Sequence, residues 1–191
     1  VFGSFMFLFY GLLYFNPGYQ NDFMKFFAGV FVTGGFVFMF GQKVPAWDSS
    51  YYPLMMTQKV PYKKYLEAKW WLINLATIIC MILAIGYAFI GWDIYFTFLA
   101  AGLYNLGVNS HLTLFSGAYN KNPVDLNARA KSMGEKNQFN LKNILLTIPK
   151  MLLPMAVFAI VKYFFGMTAA VLSLAFLGLI GFLIRDKIFV I

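Results

Sequence analysis

Long apolar runs alternate with polar breaks along this chain. Val1–Phe15, Phe23–Gly41, Trp70–Gly91, Ile94–Ala118, Ile144–Phe165 and Met167–Ile184 are almost free of charge. A helix needs about 20 mostly apolar residues to cross the hydrocarbon core of a bilayer. All six runs approach or meet that length, the first being short. None shows the apolar–polar alternation of a barrel strand, and lipid-exposed backbone must satisfy itself, so helices are expected. Asn16–Asp22 (NPGYQND), Trp92-Asp93 and Phe165-Gly166 are short breaks with turn or interface residues, whereas 42–69 and 120–143 are long ones. The pattern predicts an all-α fold, a polytopic membrane helix bundle of about six transmembrane helices forming a single domain over 1–191.

Composition and charge sharpen that expectation. With 61% hydrophobic, 20% aromatic and 12% charged residues, the chain resembles neither a soluble domain nor a disordered one. Twelve of the 15 Lys and Arg lie in the two long breaks or after the last run. Lys25 and Lys162 lie beside the opposite span ends, and Lys150 lies within the fifth run. Cytoplasmic loops carry the Lys/Arg excess, so 42–69, 120–143 and the tail are expected in the cytoplasm of a bacterium, with the spans in its inner membrane. The net charge of +8 thus reads as a topology signal, with no nucleic-acid partner. The sequence opens without Met, inside apolar sequence and without a secretory signal pattern, which suggests a piece of a longer protein. Cys80 is alone, so no disulfide framework is expected. Tyr10, Tyr14, Tyr19, Trp70, Trp71, Trp92 and Tyr163 lie near span ends, where amphipathic rings favour the membrane interface.

Polar residues within the runs are the candidates for chemistry. In the second run Gly29, Thr33, Gly34 and Gly35 suit close helix packing. In the fifth, Pro149 and Pro154 flank Lys150; a break near Pro149 would lay Asn140–Ile148 along the interface and let Lys150 snorkel to headgroups, the reading favoured over a substrate contact. In the fourth, Asn105, Asn109, Thr113 and Ser116 fall on one stripe at 100° per residue, with His111 pointing roughly the opposite way. The stripe has two readings, interhelical hydrogen bonding or the lining of a substrate path. His111 is the single histidine, without ligand partners at metal-binding spacing. No HExxH, nucleophile elbow, paired carboxylates or GxxxxGK[ST] phosphate loop occurs. No catalytic residue, metal or cofactor is therefore expected, and an ATPase would have to be another chain.

The long break WDSSYYPLMMTQKVPYKKYLEAKWW is unusually aromatic and basic. Asp48, Ser49 or Ser50 can cap a short helix over Tyr51–Thr57 that carries Tyr52, Met55 and Met56 on one side. Pro61 then starts a helix running into the third span, with Tyr62, Tyr65, Leu66 and Lys69 opposite Lys63, Lys64 and Glu67. Such an element either rests on anionic headgroups or docks a protein.

QKVPAWDSSYYPLMMTQKVPYKKYLEAKWW resembles the loop after the second span of bacterial ABC-type export permeases, where a short cytoplasmic coupling helix precedes the third span. AWDSSYY, YLEAKWW and GVNSHLTLFSGAYNKNPVDLN resemble an uncharacterised family of bacterial multi-pass membrane proteins over most of Gln42–Asn127. Its members are permease-like and longer than this chain. The resemblance implies one six-span unit, about half of a permease, coupled to cytosolic ABC ATPase subunits. Tyr51, Tyr52, Met55, Met56, Tyr62 and Tyr65 would dock the ATPase; Pro123–Lys136, where Asp125 or Asn127 could cap a short polar helix, reads either as a second contact or as a solvated linker. Asn105, Asn109, Thr113 and Ser116 would line the substrate path, and the remaining part of the polypeptide and membrane lipid would be the other partners. One feature departs from many exporters: Phe165–Met167 leaves no room for re-entrant helices between the last two spans. An integral membrane enzyme using His111 with Asn109 or Ser110, or a non-transporting scaffold for a cytosolic protein, are the alternative readings.

Overall fold

The computed structural model describes residues 6–15, 20–39, 41, 44, 52–59, 61–118 and 141–188; side chains at 14, 15, 52, 53, 56, 118 and 141–146 lie outside that description. Every regular element among these residues is helical. A 3₁₀ helix, Phe7–Phe15, precedes α1 (Asp22–Met39). The short α2 (Tyr52–Thr57) leads to α3 (Tyr62–Leu83), which continues as a 3₁₀ helix over Ala84–Phe89. The next helical run comprises α4 (Trp92–Tyr104), a π-helical turn at Asn105–Asn109 and α5 (Ser110–Ala118). Then come α6 (Leu141–Phe165), α7 (Met167–Leu183) and the terminal turn α8 (Arg185–Ile188).

Local chemistry explains the ends. Asn21 Oδ1 accepts the Met24 amide at 2.7 Å, capping α1, with Asp22 in the first turn to complement the helix dipole. Lys59 adopts φ 54°, reversing the chain between α2 and Pro61, which enters α3 in an extended conformation. Gly166, at φ 87°, turns α6 directly into α7, a conformation costly for any residue with a Cβ.

Three helical segments are long and apolar enough to cross a membrane: Asp22–Met39, Tyr62–Phe89 and Thr147–Phe165; Met167–Leu183 is apolar but shorter. Of the first apolar run only residues 6–15 are described. Its described part is a nine-residue 3₁₀ helix, which at about 2.0 Å per residue reaches little more than half of a 30 Å core. The fifth run corrects an expectation. Both prolines sit inside one helix, Leu141–Phe165, so no break at Pro149 separates an interfacial segment.

Apolar side chains cover much of the exterior as well as filling the core. Phe89, Phe165 and Leu183 are 93%, 75% and 77% exposed, and they belong to a broad apolar outer surface. The interior encloses Thr33, Asn74, Thr77, Asn105, Asn109, Ser110, Thr113, Ser116 and Lys150. An apolar exterior of this extent suits lipid rather than water. α1, α4, α6 and α7 share the largest core cluster, where Phe26 and Phe158 stack at 4.6 Å. α3 joins through Trp70 and Ile73, packed with Val37, Val44 and Leu114.

Candidate functional site

The buried polar groups form a ladder along the run from Asn105 to Ser116. Asn105 is its upper hub: Nδ2 donates to the Val30 carbonyl at 3.0 Å and to Thr33 Oγ1 at 2.9 Å. Thr33 in turn donates to the Gly29 carbonyl at 2.7 Å. Gly34 makes the approach possible, since a Cβ there would lie 2.7 Å from Asn105 Nδ2. One turn on, Asn109 Nδ2 donates to Asn105 Oδ1 at 2.7 Å. Ser116 Oγ donates to the Thr113 carbonyl at 2.9 Å and accepts from Lys150 Nζ at 2.6 Å. The four stripe residues predicted from the sequence are all buried, Asn105, Asn109 and Thr113 at 0% exposure and Ser116 at 2%. Asn109 Oδ1 and Thr113 Oγ1 have no hydrogen-bond partner among the described residues. In an interior where unpaired polar atoms are costly, spare hydrogen-bonding capacity on one face marks the ladder as a place where a polar group could be received.

Lys150 is 1% exposed and bonded to α5, so it does not snorkel to headgroups as its neighbouring prolines suggested. Its place on α6 turns the side chain toward α5, and the hydroxyl of Ser116 substitutes for water. Trp70 departs from expectation in the same way. It is fully buried, whereas Trp71 beside it is half exposed, as an interfacial ring should be. Trp70 Nε1 donates to Ser110 Oγ at 2.9 Å, and its ring stacks with His111 at 5.5 Å. His111 Nε2 faces the Gly181 carbonyl at 3.2 Å, on the far side of the helix from the ladder. Arg185, from α8, closes this corner by lying over Trp70, Trp71 and Phe182 at 5.4, 5.3 and 5.2 Å.

The π turn places Gly107 against α7. A Cβ on Gly107 would collide with the backbone of Gly178, one on Gly178 with Leu103, and one on Gly181 would lie 2.5 Å from the Gly107 carbonyl oxygen. A wide turn at this point therefore forms a backbone-to-backbone seam directly beside Asn105 and Asn109; such turns recur at functional sites.

The proposed docking residues are placed unevenly. Tyr51 lies outside the described residues; Tyr52 and Met56 belong to α2, but their side chains are outside the description. Met55 is half-buried. Tyr62 is exposed and stacks on half-buried Tyr65 at 6.1 Å, with Lys69 Nζ 5.5 Å above the Tyr65 ring. Leu54, which the sequence pattern did not single out, is an exposed apolar residue of α2 at 58%. No trio of His, Cys, Asp or Glu converges among the described residues.

A family match decides the relationship. The chain belongs to DUF5687, a family of unknown function, matched over residues 1–191. No curated protein and no solved structure matches it. In this DUF5687 chain, sequence reasoning ranked Lys150 as a snorkelling residue ahead of a substrate contact, and missed Trp70 and the Gly107–Gly178 seam as parts of the site. Lys150 carried the one usable signal, a cation well inside an apolar helix.

Proposed function

We propose that the chain is one six-span permease unit of an ABC-type exporter in the bacterial inner membrane, with 42–69 and 120–143 cytoplasmic, driven by separate ATPase subunits through alternating access. The observation that carries this reading is α2. It is a short helix with exposed Leu54, reversed at Lys59 into α3, and α3 runs without interruption from Tyr62 into a membrane-length segment. Force applied to α2 and the start of α3 would reach the interior through Trp70, which is bonded to Ser110 in the run that carries the ladder. The ladder then supplies polar groups for a substrate crossing an otherwise apolar interior. The enzyme alternative gains nothing from His111, whose Nε2 and ring are engaged with Gly181 and Trp70.

Affinity purification in mild detergent should recover an ATPase that carries a phosphate loop. Replacing Leu54 and Met55 together by Ala should lower that recovery by about tenfold, since loss of an apolar anchor costs on the order of 1–3 kcal/mol. Lys63→Ala/Lys64→Ala should change it little, because exposed charges mainly tune association rate. Equal recovery from the Leu54/Met55 variant and the unaltered protein, at matched expression, would remove α2 as the docking element.

Topology provides a second check. Cys80 is buried, so an introduced thiol can be read against a quiet background. In intact cells a cysteine at exposed Gln20 should react with an impermeant maleimide, and one at exposed Lys63 should react only after permeabilisation. Labelling of the Lys63 position from outside would invert the orientation and end the coupling proposal.

A further inference from the structure

We propose that Lys150, together with Ser116 and Thr113, forms a binding site for a phosphate-type oxyanion, free or carried on a lipid headgroup. The inference deepens the permease reading by assigning a chemical class to what its interior site receives, and it rests on that reading.

Lys150 is almost wholly buried, and the hydroxyl of Ser116 is its hydrogen-bond partner among the described residues. An ammonium has three N–H donors, so two remain unused among the described residues. A charge removed from water persists when it is paired, and a single hydroxyl brings no opposite charge. The described carboxylates are placed elsewhere. Asp22 holds Lys162 at 2.9 Å and Lys25 at 3.7 Å, Glu67 faces Lys63 at 3.9 Å, and Asp186 faces Arg185 at 3.7 Å. Asp93 lies in the first turn of α4, at the far end of the helical run whose last turns carry Ser116. Lys162, by contrast, has a carboxylate partner in Asp22.

The neighbouring groups suit an oxyanion. Ser116 gives its proton to the Thr113 carbonyl, which fixes its lone pairs toward Lys150. The Thr113 hydroxyl, on the adjacent turn and fully buried, bonds nothing among the described residues and is a spare donor. Two ammonium N–H groups and one hydroxyl match a tetrahedral anion with several acceptor oxygens, and charge-assisted bonds of this kind are the strong ones. Lys150 and Ser116 also stand at the end of the bundle from which α5 leads into 119–140, the side proposed to be cytoplasmic and closest to headgroups there.

The test uses the whole polypeptide purified in an uncharged maltoside, free of phosphate. Its melting temperature is measured with inorganic phosphate against chloride at equal ionic strength, and with phosphatidylglycerol against diacylglycerol. One of the two phosphate probes should raise the melting temperature by about 3 °C or more at saturation, and Lys150→Met should abolish that rise. Inorganic phosphate as the active probe identifies a free anion; phosphatidylglycerol alone identifies a headgroup. Thr113→Val removes a hydroxyl that bonds nothing among the described residues, so the fold should tolerate it, and it should raise the half-saturating concentration at least about threefold. No rise with either probe, or a rise that survives Lys150→Met, overturns the site. Should Lys150→Met fail to fold, an unchanged midpoint in Thr113→Val overturns it instead. ATPase recovery is a separate readout, so loss of this site leaves the permease test standing.

Discussion

Gly107→Ala will lower the melting temperature of the detergent-purified protein by about 5–10 °C, while Gly86→Ala will move it by no more than about 2 °C. The new methyl at 107 would enter the backbone of Gly178, with its Cα only 2.9 Å away. A main chain cannot rotate out of the way, so α7 has to part from the π turn. Overpacking a close-packed interior typically costs about 1–3 kcal/mol and sometimes more, and in a chain of this size each kcal/mol corresponds to about 2–4 °C. The loss is concentrated where it matters, because helices in lipid associate chiefly through close van der Waals approach. Glycines elsewhere provide the scale. A methyl at Gly102 would meet the flexible Met81 side chain at 2.6 Å, so Gly102→Ala should fall between the two. Gly86 has nothing within 4 Å and should behave as an ordinary helix position. An unchanged melting temperature for Gly107→Ala would mean that α7 does not pack on the π turn as described.

Much of the ladder was legible because its residues lie on one helical run. Spacing alone puts Asn105, Asn109, Thr113 and Ser116 on a common stripe, and the structure buries all four. What they face was not legible, because Val30, Thr33 and Lys150 come from other helices, and periodicity carries no information about which helix lies opposite. The same limit explains Trp70. Position near the end of an apolar run suggests an interfacial ring, and Trp71 fits that rule, but its neighbour points inward to Ser110. Lys150 was misread for a similar reason: snorkelling is the usual escape for a lysine near a span end, and only the proximity of Ser116 replaces it. The seam at Gly107, Gly178 and Gly181 joins residues about seventy positions apart in the chain. Small residues in α1 were visible as packing positions, and Gly29 does meet Phe98 and Ala101, but nothing in the pattern ranked the Gly107 seam above it. The segment from Tyr52 to Leu83 was legible as a short helix followed by a long one, in agreement with α2 and α3.

Trp70→Ala will be the more damaging of the side-chain truncations, lowering the melting temperature by about 10 °C or more. Among the described residues Trp70 is the largest fully buried side chain, and removing a buried Trp or Phe costs about 3–5 kcal/mol through lost transfer energy and the cavity left behind. The surroundings are poorly able to collapse into that space. His111 is held by the Gly181 carbonyl, Phe182 packs from α7, and Arg185 lies across the rings from α8. Two milder variants separate bulk from hydrogen bonding. Trp70→Phe retains much of the ring volume but loses the donor to Ser110, and Ser110→Ala leaves the indole N–H buried without that acceptor. Hydrogen bonds between membrane helices average about 0.6 kcal/mol and reach about 1.7, so each of these should cost only a few degrees. The expected order is Trp70→Ala well below Trp70→Phe, with Ser110→Ala nearest the unaltered protein. Tryptophan fluorescence gives an independent reading: loss of Trp70 should remove a blue-shifted component that aqueous acrylamide does not quench, whereas Trp71→Phe should remove a quenchable one. If Trp70→Ala melts like Ser110→Ala, the indole lies at the interface after all, and the route from α3 to the ladder is lost with it.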